Sequence, residues 1–161
     1  MDKNQHDKFM RRAIELSEKA SLIEKTGGVF GAVIVKDNKI IAEGYNQVTK
    51  QNDPTWHAEM QAIREACKKL GSPHLDGCIL YTSAESCPMC MATAYWAHIN
   101  QIYYGALVED AKKYGNFQDV DIYKELKKEA KDRKIKCTEI LRDEAVEVWK
   151  KFAEMPNHVH Y

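Results

Sequence analysis

The chain has 161 residues, 44% hydrophobic and 30% charged, proportions that suit one globular domain with a real core and exclude a disordered segment. Its 24 Lys+Arg balance its 24 Asp+Glu, so no overall field draws it to nucleic acid or to an anionic membrane surface. Met1-Asp2-Lys3-Asn4-Gln5-His6 lacks the apolar core of a signal peptide, and no apolar run reaches membrane-spanning length, which together predict a cytoplasmic protein.

In chain order, Phe9, Ala13, Leu16 and Ala20 recur at helical spacing and predict a helix over about residues 5–25, stopped by Gly27-Gly28. The continuous apolar run Phe30-Gly31-Ala32-Val33-Ile34-Val35 predicts a strand buried on both faces. Lys36-Asp37-Asn38 reads as a tight turn into a second strand through Ile40, Ile41 and Ala42 to Asn46. A helix over about 57–70 closes at Gly71, a third strand covers Cys78-Ile79-Leu80-Tyr81-Thr82, and a helix follows from Pro88 to about residue 98. Ile102-Tyr103-Tyr104-Gly105-Ala106 is a fourth strand, a weaker fifth falls near 135–141, and a last amphipathic helix carries Ala145, Val148, Trp149 and Phe152. The basic run over 124–136 is interrupted by Glu125, Glu129 and Asp132 and reads as a solvated helix face. One hairpin followed by alternating helices and strands predicts a single α/β domain over 1–161, a three-layer α/β/α sandwich on a five-stranded mixed sheet.

The five cysteines are odd in number, and Cys87-Pro88-Met89-Cys90 has a spacing suited to metal or redox chemistry. His57, Cys87 and Cys90 supply one imidazole and two thiolates, three zinc ligands that leave a fourth position open, as catalytic zinc requires. His57-Ala58-Glu59 and Cys87-Pro88 both fall at expected helix starts, where unpaired N–H groups favour thiolate over thiol. From Glu59, residues Ala62, Ile63, Ala66, Cys67 and Leu70 form one apolar helical stripe, so the carboxylate faces inward with a raised pKa. Such a group takes a proton from an activated water and passes it to a departing amine. A redox pair, or a closed structural zinc site completed by Cys67 or Cys78, is the competing reading of Cys-x-x-Cys alone. The upstream His-x-Glu favours a zinc deaminase. A non-catalytic zinc-stabilised interaction module would need no inward Glu59 and would prefer four protein ligands.

Those motifs run with Gly27-Gly28-Val29-Phe30-Gly31-Ala32-Val33-Ile34-Val35, Asn52-Asp53-Pro54-Thr55, Cys78-Ile79-Leu80-Tyr81-Thr82-Ser83, Glu85-Ser86-Cys87-Pro88-Met89-Cys90, Tyr95-Trp96-Ala97, Ile122-Tyr123-Lys124-Glu125 and the closing stretch from Trp149 to Tyr161. Nearly end to end, the chain resembles the cytidine-deaminase superfamily, and within it the small bacterial guanine deaminases. The resemblance implies hydrolysis of guanine to xanthine and ammonia, with zinc on His57, Cys87 and Cys90 and Glu59 as proton shuttle. It implies Asn46, Phe30, Trp96 and the Ala58 backbone as contacts to the base, and Asp119 as a further catalytic carboxylate with Asp121 as its competitor in register. It also implies a homodimer that exchanges the C-terminal helix and tail, about 142–161, so that Tyr161 covers the partner's site. Guanosine, cytosine, an aminotriazine or a tRNA adenosine are the alternative substrates. Val29, Ala84 and Ser86 depart from the family pattern around zinc and base.

Overall fold

The computed structural model describes residues 2–157, in two compact units, Met1–Tyr123 and Lys124–Tyr161. The first unit opens with α1 (Lys3–Glu18), whose Asp2 and Gln5 form a capping box. The helix does not run to the glycines as the spacing predicts. It widens into a π-turn at Lys19–Ile23 and ends where Lys25 turns left-handed at φ 53°. Gly27 and Gly28 instead serve the cavity described below.

Strands β1 (Gly31–Lys36) and β2 (Lys39–Tyr45) form a hairpin whose two loop residues, Asp37 and Asn38, both have positive φ (49° and 60°). That is the loop geometry matching strand twist, and Asp and Asn adopt it at little cost. A bulge between Ile34 and Val35 shifts the register from Ile34↔Ala42 to Val35↔Ile40. After a short helix α2 (Val48–Gln51) come α3 (Ala58–Leu70), β3 (Ile79–Ala84), α4 (Pro88–Trp96), β4 (Gln101–Ala106) and α5 (Val108–Gly115). Helix α6 (Asp119–Leu126) follows. The sheet order is β2-β1-β3-β4, with β1 antiparallel to both neighbours and β3 parallel to β4.

The unbroken apolar run in β1 is explained by helices on both faces. Ala32 and Ile34 pack with α3 and α4, while Val33 and Val35 pack with Phe9, Ala13 and Leu16 of α1. Tyr81 is fully buried on the α1 side, and its hydroxyl is hydrogen-bonded to His6 Nδ1 at 2.7 Å. A bare phenol there would be costly to bury.

The second unit contains the end of α6, a 3₁₀ turn at Ala130–Asp132 and α7 (Arg142–Glu154). The predicted fifth strand is absent among the described residues: positions 136–140 have no regular structure, and the sheet has four strands. The β propensity of Ile135, Thr138 and Ile140 does not make a strand without a neighbour to pair with. The basic run is not a helix face beyond Leu126. Arg133 donates to the carbonyls of Lys128 and Leu126, and Glu125 accepts the backbone N–H of Lys134.

Candidate active site

Two helix starts face each other. His57 is the N-cap of α3 and Cys87 the N-cap of α4, both extended (φ −74°, ψ 158° and φ −67°, ψ 168°), and neither side chain caps its own helix. They turn to one another instead. His57 Nδ1 lies 3.5 Å from Cys87 Sγ and 3.6 Å from Cys90 Sγ. Tetrahedral zinc with bonds of roughly 2.05 Å to nitrogen and 2.3 Å to sulfur requires a nitrogen–sulfur edge of about 3.6 Å. The donor set and its spacing therefore fit zinc.

Gly44 makes this approach available. A Cβ there would stand 2.1 Å from the carbonyl oxygen of Ala58, so only glycine lets the start of α3 rest on β2. A second tie joins Gln47 N–H to the Trp56 carbonyl at 3.0 Å, fastening the end of β2 to the residue before His57.

The electrostatics follow from burial and contact. Hydrogen bonding with Cys90, then with His57, holds the Cys87 thiol well below its ordinary pKa, while the Cys87 thiolate, burial and Glu59 push Cys90 up. Without a cation the pair carries one negative charge, and a divalent ion makes room for the second. Contact with Cys87 raises His57. Glu59, 4% exposed, is raised by desolvation first and by the Cys87 charge next. It sits on the predicted stripe, where Ala62, Ile63 and Ala66 are buried; Leu70 at the far end is 39% exposed.

The cavity above these groups measures about 250 Å³ and is lined by Gly28, Phe30, Asn46, His57, Glu59, Glu85, Cys87, Phe117 and Asp119, with Val48 and Thr49 at its side. Asn46 Oδ1 accepts the backbone N–H groups of Gly28 (3.3 Å) and Val48 (3.2 Å), which leaves its NH₂ for the cavity. Gly27 is required beside it, since a Cβ there would come within 1.9 Å of Oδ1. Thr26 fixes the other end of the residue, its hydroxyl donating to the Asn46 carbonyl at 2.7 Å. Asp119, first residue of α6, is raised by burial and then by the Cys87 charge. Asp121 points elsewhere and pairs with Lys112 Nζ at 3.1 Å, so the cavity's aspartate is Asp119. Tyr123, one turn further along α6, donates to the Ser86 carbonyl at 2.8 Å and ties that helix to the residue before Cys87. Burial and the surrounding negative charge push its phenol up to about 12.

Two of the expected contacts, Trp96 and Ala58, do not line this cavity. Trp96 is 65% exposed and does not line it. It stands nine residues along α4 from Cys87, roughly 13 Å at 1.5 Å per residue. Phe117 takes the aromatic place beside Phe30, edge to face with centroids 4.8 Å apart. Nothing in its local sequence marked it; the left-handed turn at Asn116 (φ 56°) aims it inward. Ala58 is wholly buried outside the lining, though its N–H heads α3 among the donors a helix start leaves unpaired. Tyr161 lies outside the described residues. Glu85, also unforeseen as a lining residue, accepts Val108 N–H at 3.3 Å.

Two opposed helix starts with a zinc-spaced His-Cys-Cys set beside a buried glutamate define a zinc-dependent hydrolytic deaminase. Residues 3–106 match the model of the cytidine and deoxycytidylate deaminase zinc-binding region, and the chain belongs to that family. It is 48% identical over 151 residues to guanine deaminase of Bacillus subtilis (strain 168), covering 92% of this chain and 96% of that protein. The X-ray structure of guanine deaminase from Bacillus subtilis superposes with a TM-score of 0.86 at 45% identity, over 99% of this chain and 100% of that one. The tRNA-specific adenosine deaminase of Aquifex aeolicus (strain VF5) is 34% identical over 144 residues, 89% of this chain and 91% of that protein. No helix among the described residues is long and apolar enough to cross a membrane.

Proposed function

We propose that this deaminase converts free guanine and water to xanthine and ammonia, and the observation that carries the reading is the pairing of Asn46 and Asp119 across one small cavity. Guanine presents N1–H and the C2 amine side by side. An ionised carboxylate such as Asp119 accepts both and donates neither. The Asn46 NH₂ supplies the donor for the O6 and N7 edge, and the Phe30 and Phe117 rings supply apolar contact for the bicycle. At about 250 Å³ the cavity lies below the roughly 300 Å³ at which drug-sized sites begin, which suits a free base better than a nucleoside.

His57, Cys87 and Cys90 would hold the zinc, which when bound would supply a Lewis acid that acidifies water toward a pKa of about 7. Glu59 takes the proton from the water as its oxygen adds to C2. The raised pKa of Glu59 lets it keep that proton until it is returned to the amine, which leaves as ammonia. Asp119 holds the amine edge and provides a second proton path to the leaving nitrogen. Tyr123, tied to Ser86, keeps Asp119 over the cavity.

The C-terminal helix and tail, about 142–161, exchange between two copies so that Tyr161 covers the partner's cavity. The support is that α7 carries Val148, Trp149 and Phe152 close together along one side, Trp149 and Phe152 in edge-to-face contact, an apolar face in need of a cover. Sedimentation showing a fully active monomer at micromolar concentration contradicts that arrangement.

The test of substrate is ammonia release from guanine, guanosine, cytosine, adenine, an aminotriazine and a tRNA anticodon stem-loop with the purified protein. Guanine with the highest kcat/KM supports the reading. Preference for another member of the panel overturns the guanine assignment and leaves the family chemistry standing.

A further inference from the structure

We propose that His74, Asp76 and His98 form a second metal site, for a borderline divalent ion of the zinc class, beyond the C-terminal ends of α3 and α4, whose N-terminal ends carry the catalytic ligands.

One potential ligand atom from each of the three lies within 4.8 Å of those of the others. His98 Nδ1 is 3.7 Å from Asp76 Oδ1. Neither ring nitrogen of His74 makes a hydrogen bond among the described residues, and Nε2 is shut off from solvent as well. An imidazole with uncommitted nitrogens beside a second imidazole and a carboxylate is the donor set that zinc-like ions prefer, and hard cations such as Mg²⁺ do not.

The backbone holds the donors in place. Leu75 N–H donates to the Ala97 carbonyl at 2.7 Å, clasping the loop after α3 to the end of α4 between the two histidines. His74 N–H donates to Ser72 Oγ at 3.0 Å. His98 sits in the left-handed region at φ 56°, directly beyond the C-terminal turn of α4. The negative end of that helix favours a cation there.

The two imidazoles now stack face to face, centroids 3.9 Å apart and planes 11° from parallel. Parallel rings cannot aim both lone pairs at one point, so ligation turns the His98 ring out of the stack. Its side chain is 49% exposed, and such rotamer changes are fast. Asp76 and His98 also border a cavity of about 720 Å³, which leaves room for water to complete the coordination.

The physical consequence is symmetry of restraint. His57 and Cys87 join α3 and α4 at their N-terminal ends; this site joins the loop leaving α3 to the C-terminal end of α4. A metal here clamps the pair that carries the catalytic ligands without touching substrate.

The test is calorimetric titration of ZnCl₂ into holoenzyme whose first equivalent of zinc is verified by metal analysis, with MgCl₂ in parallel. A second equivalent of Zn²⁺ binding in the micromolar range is expected, with no binding of Mg²⁺ and a rise in Tm as Zn²⁺ is added. His98→Asn, which keeps a residue tolerant of the left-handed backbone, should abolish the second equivalent and the Tm rise. It should leave the first equivalent and kcat unchanged, and Asp76→Asn should weaken the second site. Binding of one equivalent only, a second equivalent undiminished in His98→Asn, or equal binding of Mg²⁺ overturns the proposal.

Discussion

Asn46 performs two tasks with two ends of one amide, and substitution can separate them. It is 3% exposed, and its oxygen receives the N–H groups of Gly28 and Val48 at 3.3 and 3.2 Å. Asn46→Ala leaves both donors without a partner. Each such loss costs roughly 1–3 kcal/mol, and these long bonds belong at the weak end, giving about 2–3 kcal/mol in all. At roughly 2–4 °C per kcal/mol for a chain of this length, Tm should fall by about 4–12 °C. Asn46→Asp keeps an oxygen for the two N–H groups but replaces the cavity-facing NH₂ with a second acceptor. The two N–H bonds should then survive, and the Tm loss that remains reports the cost of burying a carboxylate beside Glu59 and Asp119, which should shrink as pH falls and the carboxyl protonates. Removing the donor and turning an oxygen toward the base costs about 3 kcal/mol of transition-state binding, roughly 10²-fold in kcat/KM. Thermal unfolding by circular dichroism and guanine turnover by ultraviolet absorbance read the two effects independently. An Asn46→Asp enzyme within about threefold of wild type in kcat/KM, or an Asn46→Ala protein melting with wild type, refutes the division of labour.

Glu59→Gln should retain zinc by elemental analysis while losing roughly 10²–10⁴-fold in kcat, the usual worth of a positioned acid–base; near-normal turnover in the metallated variant removes the assigned role. The same variant reports on pH in metal-free protein. Burial raises the folded pKa of Glu59 above the ordinary 4.5, so wild type loses stability as pH rises through that elevated value, whereas the neutral Gln does not, and the Tm gap should widen in that direction. Asp119→Ala should cut guanine turnover far more than zinc content, while Asp121→Ala, which removes the ion pair with Lys112 outside the cavity lining, should be mild in kcat. Tyr123→Phe should lower kcat with zinc content intact, because only the hydroxyl's bond to Ser86 is removed; unchanged kinetics dissociate that tie from the position of Asp119.

That His57, Cys87 and Cys90 would meet, with Glu59 buried beside them, was legible in the sequence because their spacing is local. A histidine two residues before a glutamate, and two cysteines three apart behind a proline-started helix, declare their geometry within one turn. The apolar stripe beginning at Glu59 announced which way that carboxylate would face, and the unbroken run in β1 announced helices on both sides of the sheet. What lay across the cavity was a different matter. Phe117 and Glu85 reach it from separate elements, and no local period marks a residue whose partner is distant in sequence. Asp119 and Asp121 differ by two positions in one helix, and only the placement of α6, tied through Tyr123 to Ser86, decided which carboxylate faces inward. Trp96 had the right residue type at the wrong depth along α4. The fifth strand failed for the same physical reason: a strand's stability resides in its neighbours, which its own residues do not encode. Sequence by itself determined the chemistry that one helix turn can carry; the packing of separate elements determined the walls around it.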